Sequence, residues 1–183
     1  MTIETKRLIL REWKDSDFEP FAALNADPEV MEFFPKTMTH DETAAMIQRT
    51  KARYAEDGFC LWATEEKETA DFIGFIGLAR PNFEAKFTPC VEIGWRLARR
   101  FWGKGYAPEG ALAVLQDGFE NHGLDEIVSF TAEINLKSIR VMEKISMWRD
   151  QENDFMHPNV ADGHRLKPHV LYRMTRKDWQ HLK

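Results

Sequence analysis

Residues 91–119 constrain the fold of this chain more than any other stretch. Val91-Glu92-Ile93-Gly94-Trp95-Arg96-Leu97 alternates apolar with polar or small side chains, the pattern of a strand with two unlike faces. Gly103-Lys104-Gly105 follows, and then Ala111, Leu112, Leu115 and Phe119 recur at helical spacing. A strand, a short glycine-bearing loop and a helix in this order make a cradle for an anion. Glycine lets the main chain come close to a ligand. The free N–H groups of the first helical turn, with the helix dipole behind them, face whatever the loop holds. Two phosphate loops are excluded. The pattern G-x-x-x-x-G-K-[ST] fails because Gly105 follows Lys104 and Ala98 stands five places before Gly103. The pattern G-x-G-x-x-G fails because Pro108 takes the third glycine's place. Taken alone, the two glycines fit a plain tight turn as well.

The flanking chain supplies the other layers. Leu8 to Trp13 reads as a first strand, and Asp15-Ser16-Asp17 offers N-cap chemistry to a helix carrying Phe18, Phe21, Ala22 and Leu24. A short helical turn is expected from Asp27 through Val30 and Met31, stopped before Pro35. Thr39 with Glu42 is a capping box, and the helix it opens runs to Gly58. Strands are expected over 60–64 and 72–79, the second almost continuously apolar, as for a strand covered on both faces. Residues 80–89 read as a loop. A strand over 127–133, a helix over 135–146, a polar segment over 149–168 and a strand over 169–174 complete the order. That order, β-α-α-α-β-β-β-α-β-α-β without a break in composition, predicts one mixed α/β domain over 1–183.

Composition narrows the function. The chain has 183 residues, 43% apolar and 12% aromatic, and a net charge of −5, so it is globular and argues against a nucleic-acid groove. Cys60 and Cys90 stand far apart and form no CxxC, and two lone thiols are the plain reading. His157, His164 and His169 match no zinc spacing, so no metal is expected. No apolar run is long enough for a signal peptide or a transmembrane helix, so a cytoplasmic protein without membrane partners is expected.

Trp102-Gly103-Lys104-Gly105-Tyr106-Ala107 resembles the acyl-CoA pyrophosphate loop of the GNAT N-acetyltransferases, [Q/R]-x-x-G-x-[G/A]. Gly105 and Ala107 fit the small positions, and Trp102 replaces the usual Gln or Arg. That departure resembles the ribosomal-protein N-terminal acetyltransferase (RimJ/RimL-type) branch. TKRLILRE at 5–12, VEIGWRL at 91–97 and N-x-x-S-x-x-V-x-E-K at 135–144 agree with it. Ser146 departs from the glycine that relatives carry in EKLGM. The resemblance implies a mostly antiparallel sheet flanked by helices, with a splayed strand pair that takes the pantetheine arm. It implies acetyl-CoA as cosubstrate, an amine acceptor (a peptide N-terminus or a small molecule), and a monomer or homodimer.

By this resemblance the cofactor contacts fall on Trp95, Arg96, Leu97, Trp102, Gly103, Lys104, Gly105, Tyr106, Ala107, Asn135 and Ser138. Arg99, Arg100 and Lys104 would add charge near the phosphates. A main-chain N–H near Leu97 would hold the thioester oxyanion. Glu92, on the strand face opposite Val91, Ile93 and Trp95, is the candidate general base, acting through a water. The plainer reading of Glu92 is a carboxylate satisfied by a neighbouring strand or by Arg96. Ser138 is the candidate acid. Asn135 and Ser138 also suit the N-cap of their own helix. His157 is an alternative base. Met31, Phe33, Phe34 and Met38, with the acids Glu32, Asp150, Glu152 and Asp154, would border an acceptor site between residues 27–40 and 150–168. A non-catalytic acyl-CoA sensor on the same fold is the alternative.

Overall fold

Alternating and continuous apolar runs pair into one sheet in the computed structural model, which describes residues 2–182. In chain order the elements are β1 (Thr2–Glu4), β2 (Leu8–Arg11), α1 (Phe18–Ala26), α2 (His40–Asp57), β3 (Leu61–Glu66), β4 (Phe72–Ala79), β5 (Glu92–Leu97) and α3 (Tyr106–Glu120). They continue with β6 (Glu126–Ala132), α4 (Leu136–Lys144), β7 (Trp148–Arg149), β8 (Phe155–Met156), β9 (Pro168–Thr175) and α5 (Arg176–His181). The sheet order is β1-β2-β3-β4-β5-β6-β9-β7, with β8 also on β9. Every pairing is antiparallel except β5 with β6.

Each face of the sheet carries its own core. On one side Leu8, Leu10, Ile76 and Ile93 pack with Leu115 and Phe119 of α3 and Met142 of α4. On the other, Phe75 and Ala63 pack with Phe21 and Leu24 of α1 and Ile47 of α2. Each such fully buried Leu, Ile or Phe contributes about 1.5–3 kcal/mol relative to an exposed one.

Between β4 and β5 the main chains are crowded. Gly74 has φ +134°, and a Cβ there would lie 2.0 Å from the Arg96 carbonyl oxygen. Backbone cannot yield as a flexible side chain can. Gly74→Ala is therefore expected to destabilise the fold by about 3 kcal/mol or more; a denaturant midpoint within error of wild type would contradict this packing.

The structure differs from the sequence reading in detail. Residues 27–31 form turns rather than a helix. Met31 N–H bonds Asp27 C=O at 3.0 Å and Phe34 N–H bonds Met31 C=O at 2.9 Å, and the ladder stops there. Pro28 brings no N–H and Pro35 keeps Phe34 out of the helical region. The polar segment 149–168 carries the short strand β8, and β1, β7 and α5 add to the expected list. A second capping box, Thr175 with Asp178, opens α5.

Candidate active site

The one parallel pair of strands opens like a fork. β5 and β6 are in register only at Glu92 opposite Val128. Val128 N–H bonds Val91 C=O at 2.9 Å, and Ser129 Oγ donates to Ile93 C=O at 3.0 Å. In an antiparallel ladder, alternate residues turn both main-chain groups to the same neighbour. Ala98 N–H bonds Ile73 C=O at 2.9 Å, so Arg96, Gly94 and Glu92 bond β4. Ile93, Trp95 and Leu97 turn theirs toward β6, in phase with Val91 and Ile93. Past Ile93 the strands have parted, and the main-chain groups of Trp95 and the N–H of Leu97 face the opening. The Leu97 carbonyl is taken by Trp102 Nε1 at 2.7 Å, which folds the loop back onto the strand end.

Helix α4 forms the far wall. Asn135 Oδ1 accepts from Ser138 N–H at 3.2 Å, and its Nδ2 donates to Thr131 Oγ1 at 2.9 Å. Its side chain is thus engaged in capping. Trp95 Nε1 donates to Ser138 Oγ at 3.3 Å, which places Ser138 at the fork.

The glycine loop lies at the fork's end. Gly103 (φ +75°) and Gly105 (φ +83°) both adopt the left-handed region. The N–H groups of Tyr106 and Ala107 begin α3 and have no intrahelical carbonyl to bond. Arg7 buttresses this turn. It donates to Lys104 C=O at 2.9 Å and clasps the Glu109 carboxylate at 2.6 Å, tying the start of β2 to the loop and to α3. The Tyr106 side chain turns into the core, and its hydroxyl bonds Glu66. The cations expected at the phosphates are placed otherwise: Arg99 pairs with Glu29, Arg100 with Asp71 at 3.4 Å, and Lys104 lies over the Phe101 ring at 5.2 Å.

Glu92, Gly94 and Arg96 point to the opposite face, toward α1 and the turn segment 27–39. Glu92 makes no hydrogen bond or ion pair with any described residue, and burial pushes its carboxyl up to about 7. It is not satisfied by Arg96. Gly94 leaves the floor open, since a Cβ there would meet nothing within 4 Å. Arg96, expected beside the cofactor, lies on this face. Its Nη1 donates to Asn25 Oδ1 at 2.6 Å, and its guanidinium lies under the Phe34 ring at 4.1 Å. Met38 Sδ is 3.6 Å from Nη1. The segment 27–39 meets the tail loop here. Phe33 packs with Ala132, Val160 and Leu166, and Arg165 donates to Glu32 C=O at 3.0 Å.

The remaining candidates divide. His157 sits in an aromatic group with Phe83, Phe130, Phe155 and His169, and burial lowers its pKa. Asp150 is engaged by Arg173 at 2.6 Å and Asp154 by Arg149 at 2.5 Å, so neither offers free charge to an acceptor. Glu32 lies 3.9 Å from Lys137, and Glu152 is exposed. Burial pushes the Cys60 thiol up to about 12 and the Cys90 thiol up to about 11, so neither is poised as a nucleophile. Among the described residues no group of His, Cys, Asp or Glu is arranged to hold a metal, and no helix is long and apolar enough to cross a membrane.

Residues 7–147 match the Acetyltransferase (GNAT) domain. The chain belongs to the GNAT acetyltransferase family. It is 34% identical over 144 residues to the uncharacterized protein YkkB of Bacillus subtilis, covering 78% of this chain and 83% of that one. It is 30% identical to the FsC-acetyl coenzyme A-N(2)-transacetylase of Aspergillus fumigatus, covering 97% and 77%. A crystal structure of a GNAT-family acetyltransferase from Bacillus anthracis superposes with a TM-score of 0.80 at 26% identity, covering 97% and 99%. The mostly antiparallel sheet flanked by helices is the GNAT fold.

Sequence reasoning passed over Arg7 and Asn25 at this candidate site, and named Phe34 only as a border of the acceptor side. Arg7 lies in the quoted TKRL string, but its contact with Lys104 joins residues 97 positions apart. Asn25 and Phe34 meet Arg96 only through the fold. Strict period-two alternation along β5 was the available signal, since it puts Arg96 on the face of Glu92.

Proposed function

We propose that this protein transfers acetyl from acetyl-CoA to a primary amine by direct attack, with Glu92 as general base. The observation that carries this reading is an unpartnered carboxylate with a pKa near 7, beside the open floor at Gly94 and at the mouth of the β5–β6 fork. Main-chain N–H groups over Gly103, Lys104, Gly105, Tyr106 and Ala107 would hold the pyrophosphate, so their side chains are free to vary; the Trp102 N–H is taken by Arg99 C=O at 3.0 Å. Trp95 and Leu97 would pair with the pantetheine arm through their main chains, and the Leu97 N–H would hold the developing oxyanion. Acetyl-CoA supplies the activated acyl group and a thiol leaving group. Glu92, acting through a water, would take the proton that the attacking amine loses. Ser138 stands across the fork to return one to the departing sulfur, and a free thiol's pKa of about 8.5 makes that a light task.

The whole chain, 1–183, acts as one transferase domain in the cytoplasm, on the RimJ/RimL-like side of the family. The WGKGYA string supports that branch. The test is CoA release from acetyl-CoA, with mass detection of the product, across N-terminal peptides, polyamines, aminoglycosides and amino acids. At least one amine is expected to turn over. Tight acetyl-CoA binding with no CoA release from any of them would favour a sensor and overturn the reading.

A further inference from the structure

Arg96 is a guanidinium held in the protein with no carboxylate beside it. Its residue is 9% exposed, and among the described residues no acidic side chain lies within ion-pair distance. Asn25, itself fully buried, accepts from Nη1 and donates to Thr43 Oγ1 at 3.2 Å, which fixes its orientation. Nε is buried with no partner, and Nη2 makes no hydrogen bond with a described residue. Phe34 and Phe75 rings cover the planar faces at 4.1 and 5.4 Å. The unpartnered Nε–Nη2 edge is the fork that grips a carboxylate with two parallel bonds. A buried, unpaired charge is unfavourable until an opposite charge joins it.

Along β5, the unpartnered Glu92 carboxyl and the Arg96 guanidinium share one face, about 13 Å apart between their Cα atoms, with the open floor of Gly94 between them. Of the acids that would make a rim for a polycation, Asp150 and Asp154 are taken by arginines and Glu32 lies 3.9 Å from Lys137. We propose that the acceptor is a small amine that also carries a carboxylate, its amine directed to the Glu92 side and its carboxylate held by the Nε–Nη2 edge of Arg96. Asn25 is then a positioning residue that turns this edge toward the ligand. The inference rests on the acetyl-transfer reading for the role of Glu92, but not for the role of Arg96.

Binding is read first, by calorimetry on the CoA-saturated protein, with the N-acetyl derivatives of the common amino acids and their C-terminal amides as probes. At least one N-acetyl amino acid is expected to bind at least about tenfold more tightly than its amide, the size of a charge-assisted hydrogen bond. Arg96→Gln should bring that ratio to near one. Asn25→Asp supplies the missing counter-ion from within. It should abolish the ratio too while raising Tm, which separates loss of the site from loss of the fold. No carboxylate probe binding better than its amide, or an unchanged ratio in Arg96→Gln, would overturn the proposal. CoA release with the free amino acids runs alongside. Carboxylate-selective binding without turnover would count against acetyl transfer alone. Equal turnover of acids and amides would count against the carboxylate site alone.

Discussion

Glu92→Gln is expected to lower kcat for transfer by about 10²–10⁴-fold, the usual contribution of a positioned general base. Affinity for acetyl-CoA should stay within about twofold, because the Glu92 side chain lies on the sheet face opposite α3 and the loop main chain does the holding. The same change should stabilise the protein above neutral pH. Burial raises the Glu92 carboxyl to about 7 from an ordinary value of 4.5. Between those values the folded protein keeps a proton that the unfolded chain has lost, so stability falls as pH rises through this window. Above it the penalty is complete, at most about 3 kcal/mol at 1.36 kcal/mol per unit. Gln carries no such penalty. Its Tm should exceed wild type by several degrees near pH 8 and match it near pH 4.5. An enzyme that is less active yet more stable is the signature of a carboxylate kept for chemistry. Unchanged kcat, or a lower Tm at pH 8, would contradict the assignment.

Gly105→Glu should weaken acetyl-CoA binding by about 100-fold or more. Gly105 sits at φ +83° at the start of α3. Any other residue there strains the backbone by about 1–2 kcal/mol. The new carboxylate adds like charge where an anion would sit, against the free N–H groups of the first helical turn. A Cβ at this position would lie 3.5 Å from Arg7 Nη2, so the new carboxylate also competes with Glu109 for the arginine that braces the loop. Gly105→Ala carries the strain without the charge, and its loss should be much smaller. Calorimetric titration with acetyl-CoA separates the two variants. An affinity within about threefold of wild type for Gly105→Glu would contradict the pyrophosphate cradle.

Local signals in the sequence carried most of the fold. The apolar run Phe72–Ala79 is β4 residue for residue, and the Thr39–Glu42 box and Gly58 bound α2. These features act over one turn or one strand, where propensity and capping decide. The tail was harder to read. β7 and β8 are two residues each and exist because β9 offers an edge to pair with. No period can mark so short a strand. The loop, Glu92 and Ser138 could be named as candidates because each lies within a few residues of a recognisable string. The surroundings of Arg96 were not, because Asn25, Phe34 and Phe75 converge on it from α1, a turn and β4. Arg96 also shows the limit of a motif against periodicity. Membership of the VEIGWRL string placed it with the cofactor, while alternation along β5 places its side chain with Glu92, across the sheet from α3.

The most direct test of acetyl transfer with Glu92 as base is the pH profile of kcat/KM for CoA release, wild type against Glu92→Gln, with the same acceptor. The amine's own ionisation bends both profiles alike, so their ratio isolates the carboxylate. The ratio should climb with unit slope on the acidic side and level off near pH 7. A flat ratio across the range would contradict the account.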